Sequence, residues 1–218
     1  MPGRKGILVA VTAAMVLVLA GVGGYYWYVN TWFVSTEDAR VDGPVYRVAP
    51  QISSRVLEIR REEGEVVAPG EILARLDDVS LSPTASPDLA TVRSPVGGVV
   101  IKKLGQVGEV VSAGQPLFMV VDPADFYVTA NVEETKVKRV RPGQRAEVSV
   151  DALPGQRFVG RVTEVGLATQ ATFSLLPSMT SGTFTKVTQR VPVRIEVDGL
   201  AAAKPVYGAS VVVRVRVR

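Results

Sequence analysis

Apolar residues fall in three different rhythms along the chain, and each rhythm predicts a different kind of element. The first is an unbroken run. From Ile7 to Val29 there are 23 residues without a charge, preceded by Arg4 and Lys5 and followed closely by Trp32 and Phe33. A helix needs about 20 apolar residues to cross a bilayer, and Tyr and Trp gather where such a helix meets the headgroups. Tyr25, Tyr26, Trp27, Tyr28, Trp32 and Phe33 form such a cluster at the far end of this run. Residues 1–34 therefore read as a short cytoplasmic tip and a membrane-spanning helix. Positive charge precedes the span while Glu37 and Asp38 follow it, which places the N-terminus in the cytoplasm and the bulk of the chain outside. The competing reading is a cleaved signal peptide. The run is long for one and has no good small-x-small site before the aromatic cluster, so a retained single-pass anchor is expected.

The second rhythm is a set of short Val-rich stretches set between turn residues. Gly64-Glu65-Val66-Val67-Ala68-Pro69-Gly70 returns as Gly108-Glu109-Val110-Val111-Ser112-Ala113-Gly114, an offset of 44. At the same offset Val48 meets Val92, Ile52 meets Val96, Val56 meets Val100, Leu73 meets Leu117, Leu76 meets Val120 and Asp78 meets Asp122. This is an internal duplication of two copies, residues 45–78 and 92–122, which predicts one domain built of two matching halves that complete each other. The stretches Ile72 to Leu76 and Leu117 to Val121 are too short for helices and read as strands. Pro69-Gly70 suits the centre of a type II turn. Residues 79–91 hold Pro83 and Pro87 among serines and threonines, and read as a loop between the halves.

The third rhythm is alternation, in residues 123–218. Phe126 to Ala130 reads as a strand. Asn131 with Glu134 resembles a capping box opening a short helix that buries Val137 and Val140. Ala146, Val148 and Val150 alternate with polar residues, as do Val191, Val193, Ile195 and Val197, and then Val213, Val215 and Val217 opposite Arg214, Arg216 and Arg218. Period 2 with one polar face predicts a small antiparallel barrel. The arginine stripe is either a phosphate-facing patch near a membrane or the solvated face of an edge strand, where like charges discourage pairing. The second reading is favoured. Leu167 to Gln189, rich in Ser and Thr, reads as a long loop. Residues 35–44, polar and extended up to the breaker Gly43-Pro44, link the anchor to the duplicated domain.

Composition narrows the chemistry. The 218 residues include no Cys and no His. Thiol nucleophiles, imidazole bases, disulfides, cysteine-linked lipid anchors and soft-ligand zinc sites are thereby excluded, and no catalytic, cofactor-binding or metal residue can be named. Net charge is +4 and no basic run is interleaved with aromatics, so nucleic acid is not an expected partner. Two surface patches remain. Glu62, Glu63 and Glu65 with Arg60 and Arg61 either contact a neighbouring protomer or form a solvated strand end. The Thr169 to Thr185 loop is a candidate contact for a membrane or a membrane protein.

Several phrases together resemble the HlyD family of membrane fusion proteins, periplasmic adaptors of export pumps, and within it the EmrA-like branch. They are Ser35-Thr36-Glu37-Asp38-Ala39-Arg40-Val41-Asp42-Gly43 after the anchor, Val48-Ala49-Pro50-Gln51-Ile52-Ser53-Ser54-Arg55-Val56 and Val92-Arg93-Ser94-Pro95-Val96-Gly97-Gly98-Val99-Val100 at the openings of the two halves, Phe173-Ser174-Leu175-Leu176-Pro177, and Gln189-Arg190-Val191-Pro192-Val193-Arg194-Ile195. The resemblance implies a mainly β fold: a transmembrane helix, a lipoyl-like sandwich (a barrel-sandwich hybrid) of two half-motifs, then a small antiparallel β-barrel with one short helix, to which Thr36 to Val41 adds a strand. It implies a non-enzymatic adaptor without cofactors that oligomerises and packs against an inner-membrane transporter, of the major-facilitator type first and the ATP-driven (ABC) type second. One departure is large. The family inserts a long coiled-coil hairpin between the halves, and thirteen residues with two prolines cannot form one, since even an isolated helix needs about 12–15 residues. Contact with an outer-membrane channel is therefore not carried over.

Two other functions compete. A lipoyl or biotin carrier shares the sandwich but needs a lysine on the turn between its halves, and no lysine lies between Lys5 and Lys102. Lys102 and Lys103 fall in a predicted strand and read as solvated. A membrane-anchored binding or cell-envelope structural protein unconnected to any pump remains the alternative to the adaptor.

Overall fold

The computed structural model describes residues 4–78, 86–168, 188–203 and 205–218. Helix α1 (Arg4–Trp32) contains the uncharged run, and its Thr12–Trp32 portion is long and apolar enough to cross a membrane, with none of it buried against protein. It passes without a break into β1 (Phe33–Asp42). The chain then runs through β2 (Val45–Val48), β3 (Ser54–Ile59), β4 (Val66–Val67), β5 (Ile72–Leu76), β6 (Thr91–Arg93), β7 (Gly98–Lys103), β8 (Val110–Val111) and β9 (Phe118–Val121). After these come β10 (Tyr127–Glu133), α2 (Glu134–Val137), β11 (Arg145–Val150), β12 (Phe158–Val165), β13 (Arg190–Val197), α3 (Leu200–Ala203) and β14 (Ser210–Arg216).

Strands β2 to β9 form two four-stranded sheets, ordered β2-β9-β7-β4 and β6-β5-β3-β8. Shifting the first order by one repeat gives the second. Each sheet takes two strands from each half, so the halves interlock rather than sit side by side. The core shows the same arithmetic. Val48 and Val92, Val56 and Val100, Val67 and Val111, Leu73 and Leu117, Ala74 and Phe118, and Leu76 and Val120 are all buried there. Burying a side chain of Val, Leu or Phe size stabilises by about 1.5–3 kcal/mol, so these matched pairs hold the sandwich.

The repeated Gly-Glu phrase has a local function. At Ala68-Pro69-Gly70-Glu71, Gly70 has φ +78° and Glu71 N donates to Ala68 O at 3.2 Å, as a type II turn requires. The Glu71 side chain then reaches back and accepts from Ala68 N at 2.8 Å. Glu65 does the same for Glu62 N at 2.9 Å, Glu109 for Gln106 N at 3.0 Å, and Gln115 for Ser112 N at 3.1 Å. A carboxylate or amide after each turn glycine thus satisfies a backbone donor that the turn leaves open.

The remaining strands close a barrel in the order β1-β10-β13-β12-β11-β14. Alternate residues point inward, and Val128, Ala130, Val193, Ile195, Val211 and Val213 are fully buried there. The segment after the anchor is therefore a full barrel strand. It pairs with β10 through Ala39 opposite Ala130 and with β14 through Val34 opposite Val215.

Three expectations are corrected. β14 is not an edge strand, because it pairs with β1 on one side and β11 on the other. Closing the barrel removes the edge that the arginine stripe was expected to protect. Asn131 is not a helix cap: it lies inside β10, and α2 starts after Glu133 with no side-chain cap bond. Finally, residues 79–91 are not all loop, since Pro87–Ala90 form a 3-10 turn capped by Ser86, whose side chain accepts from Asp88 N, and Thr91 begins β6. Residues 79–85 and the Thr169 to Thr185 patch lie outside the described residues.

Candidate functional site

The junction between the anchor and the barrel is built from elements distant in sequence. The last carbonyls of a helix lack intrahelical donors, and an exposed helix end leaves them to water or to a side chain. Here Arg139, in the turn after α2, supplies a guanidinium fork. Its Nη1 donates to Asn30 O at 2.8 Å and its Nη2 to Thr31 O. Val217 N donates to Trp32 O at 3.0 Å. The end of the membrane helix is thus held by two separate parts of the barrel. Tyr28 and Trp32, one helical turn apart, pack with ring centroids 5.9 Å apart beside this seam.

Just beyond it, β1 carries a bulge between Thr36 and Ala39, which throws Glu37 and Asp38 out of register with β14. A polar network fixes the bulge. Thr36 Oγ1 donates to Asn131 O at 2.8 Å, Asp38 N donates to Thr36 Oγ1 at 3.2 Å, and Asn131 Nδ2 donates to Asp38 Oδ1 at 3.0 Å. Arg190 pairs with the other oxygen of Asp38. Lys136 pairs with Glu133 at 3.0 Å, and this contact holds the Glu133 carboxyl below its ordinary range. Ser35, Glu37, Asp38, Lys136, Arg190 and Arg214 surround an open polar hollow of about 630 Å³. The hollow exposes both signs of charge and no nucleophile–base pair.

At the opposite end of the barrel β1 finishes at Asp42, just before the chain enters the sandwich. Its Oδ1 accepts from Gly43 N at 3.0 Å and from Tyr207 Oη at 3.1 Å, and its Oδ2 from Thr129 Oγ1 at 3.1 Å. Burial first, and the bond to Asp42 second, raise the Tyr207 hydroxyl above its ordinary range. Gly43 is required by contact, since a Cβ there would lie 2.9 Å from the Phe126 ring. Between the two units an apolar groove of about 660 Å³ is lined by Val66, Val99, Ile101, Met119, Val206 and Tyr207, among others.

The acidic and basic group in the first half is largely satisfied within the chain. Arg61 Nε donates to Glu71 Oε1 at 2.6 Å, Arg60 pairs with Glu58 at 3.2 Å, and Lys103 pairs with Glu62 while its N–H donates to Glu63 Oε1 at 2.9 Å. Lys103 is therefore a strut between the halves rather than a free solvated cation. Sequence reasoning missed Asn131, Arg139 and Arg190 as junction residues. Of the three, only Arg190 stands within the phrases that carried the family resemblance, as does the Thr36 to Asp38 segment that it meets, whereas Asn131 and Arg139 lie outside them.

Residues 44–122 match the CzcB-like barrel-sandwich hybrid domain, and residues 125–217 match the AAEA-like β-barrel domain. The chain is 32% identical over 169 residues to a putative efflux system component, YhbJ of Bacillus subtilis, covering 77% of this chain and 73% of that one. The chain belongs to the EmrA-like membrane fusion proteins. Against the multidrug export protein EmrA of Escherichia coli, identity is 36% over 107 residues, covering 48% of this membrane fusion protein but only 27% of that relative. The fold agrees with the solved periplasmic adaptor EmrA at a TM-score of 0.59, 17% identity, covering 84% of this chain and 98% of that one. It agrees also with the membrane fusion protein Spr0693 of Streptococcus pneumoniae at 0.58, with 14% identity over 84% of this chain and 98% of that one.

Proposed function

We propose that this membrane fusion protein is a non-catalytic adaptor of an export pump, held in the cytoplasmic membrane with its N-terminus inside and its sandwich and barrel outside. It works as an oligomer beside an inner-membrane transporter, with the major-facilitator type favoured and the ATP-driven type second. The observation that carries this reading is the seam in which Arg139 and Val217 hold the end of α1. An anchor that served only as a tether would need no such fixing. A fixed one sets the height and rotation of the barrel above the bilayer, which is what an adaptor must control against a neighbour in the membrane. The polar hollow beside the seam, with Glu37, Asp38, Lys136 and Arg190 at its wall, is the surface best placed for that neighbour. The test is gentle-detergent purification of the full chain from its own host, together with efflux measurements after deletion. Recovery of a transporter and loss of efflux are expected. A chain that never retains a transporter, and whose loss leaves efflux unchanged, overturns the reading in favour of an envelope protein unconnected to a pump.

A further inference from the structure

The strand order brings together arginines that are far apart in sequence. Phe33, the first residue after the anchor helix, lies opposite Arg216 of β14. One rung away Ala146 of β11 lies opposite Val215, so Arg145 falls beside Arg216. Arg145 in turn lies opposite Arg161 of β12. In β11, β12 and β14 the neighbours of these arginines point into the barrel core while the arginines themselves are exposed. Arg216, Arg145 and Arg161 therefore form a row across the outer face of the barrel, starting from the rung where the membrane helix ends. Lys138 and Arg141 are exposed in the same turn as Arg139, whose side chain is bound to the helix end. No ion pair among the described residues involves Arg145, Arg161, Arg216, Lys138 or Arg141. The carboxylates closest in register are Glu196, opposite Arg161, and Glu147, opposite Arg214, and neither is paired with the row.

We propose that this row binds the phosphates of anionic phospholipids in the outer leaflet of the same bilayer that α1 crosses. This rests on the anchor reading, but not on the pump reading. The chemistry is favourable on three counts. Guanidinium groups match phosphate oxygens with paired donors. A cation near an anionic surface is attracted within about one Debye length, about 8–10 Å at physiological salt, and neighbouring strands are only about 4.8 Å apart. The row begins at Arg216, opposite the residue that follows the aromatic belt of Tyr25, Tyr26, Trp27, Tyr28 and Trp32, and climbs from there with the shear of the barrel, since the same rung runs on past Arg161 and Glu196 toward Asp42; Arg216 and Arg145 are the members nearest the headgroup level that the belt marks.

Trp27 and Trp32 are the only tryptophans in the chain, and both lie at this end of the helix. The full chain in nanodiscs of equal phosphatidylglycerol and phosphatidylcholine, with bromine on the acyl chains of one lipid or the other, therefore reports the lipid beside the barrel. The expected result is quenching about twofold stronger from brominated phosphatidylglycerol than from brominated phosphatidylcholine, falling to parity in about 1 M salt, where the Debye length is about 3 Å. Parity is also expected in the R145Q/R161Q/R216Q variant, and a preference again in R145K/R161K/R216K. Matching near-ultraviolet circular dichroism in all three proteins checks that the barrel stays closed. Parity in the unsubstituted protein overturns the proposal, as does a preference that survives the glutamine variant. Parity combined with salt-sensitive binding of a transporter assigns the row to an acidic protein surface instead. Absence of quenching by either lipid means that the helix is not inserted, which overturns the anchor reading and this proposal together.

Discussion

Asn131 decides how the anchor-side bulge is held, and it does so from a position 5% exposed. Its amide donates to Asp38, its carbonyl accepts from Thr36, and Arg190 completes the charge balance on Asp38. The spacing Asn131 to Glu134 satisfies the capping-box pattern, yet tertiary structure takes the asparagine into β10 and turns its side chain across the sheet. Local pattern could not foresee this, because the acceptor is 93 residues away. Replacing Asn131 with Ala leaves part of the network unpaired, and a loss of about 1–3 kcal/mol is expected in denaturant unfolding, with a lower Tm. A second residue-level effect concerns pH. The Ala68 N–H, and then Arg61, hold the Glu71 carboxyl below its ordinary value of 4.5. A depressed carboxyl contributes stability that is full above its unfolded pKa and is lost as pH falls through the folded one. Unfolding midpoints measured downward from pH 5 should therefore fall less steeply in Glu71→Gln than in the unsubstituted protein, since glutamine keeps the acceptor to Ala68 N but has no charge to lose.

Strands of the two halves are alike but not identical, and one difference shows what each position tolerates. Ser54 opens β3 and donates from Oγ to Asp77 O at 2.6 Å. One repeat later Gly98 opens β7, and a Cβ there would lie 2.1 Å from Val121 O, the counterpart of Asp77 O. The second half brings the two backbones closer and leaves no room for a side chain. Gly98→Ala should therefore unfold or grossly destabilise the sandwich, with a loss of more than about 3 kcal/mol, in the range of severe steric strain. Ser54→Gly, which removes only one hydrogen bond and adds chain freedom, should cost about 1–2 kcal/mol. Thermal unfolding of the two variants side by side checks the asymmetry. The duplication was legible in the amino-acid order because burial preserves the spacing, as Leu73 with Leu117 and Val56 with Val100 demonstrate. The interlocking of the halves was not legible, since a repeat says which positions are equivalent but not which strands pair.

At the scale of the whole molecule, the anchor could be read from its length and aromatic end, and the barrel from alternation. Its closure and its arginine row could not, because they depend on β14 lying between β1 and β11. The seam between anchor and barrel is likewise tertiary. Arg139→Ala removes both bonds to the helix carbonyls, and is expected to cost about 1 kcal/mol locally without changing the global Tm. Hydrogen exchange at the Val217 amide, which is bonded to Trp32 O, is the direct readout, and faster exchange is expected.

Barrel closure has a further consequence during biosynthesis. β1 emerges first and is tied to the membrane, yet both of its neighbours, β10 and β14, are made later, and β14 follows every other described strand. The sandwich has all its strands once Val121 has been synthesised, and can fold while synthesis continues. The barrel cannot, so a chain that stops early presents a membrane-tethered strand with open hydrogen-bonding edges. Such edges are templates for pairing with another chain. Completion of translation is thus written into the topology as the condition for closing them.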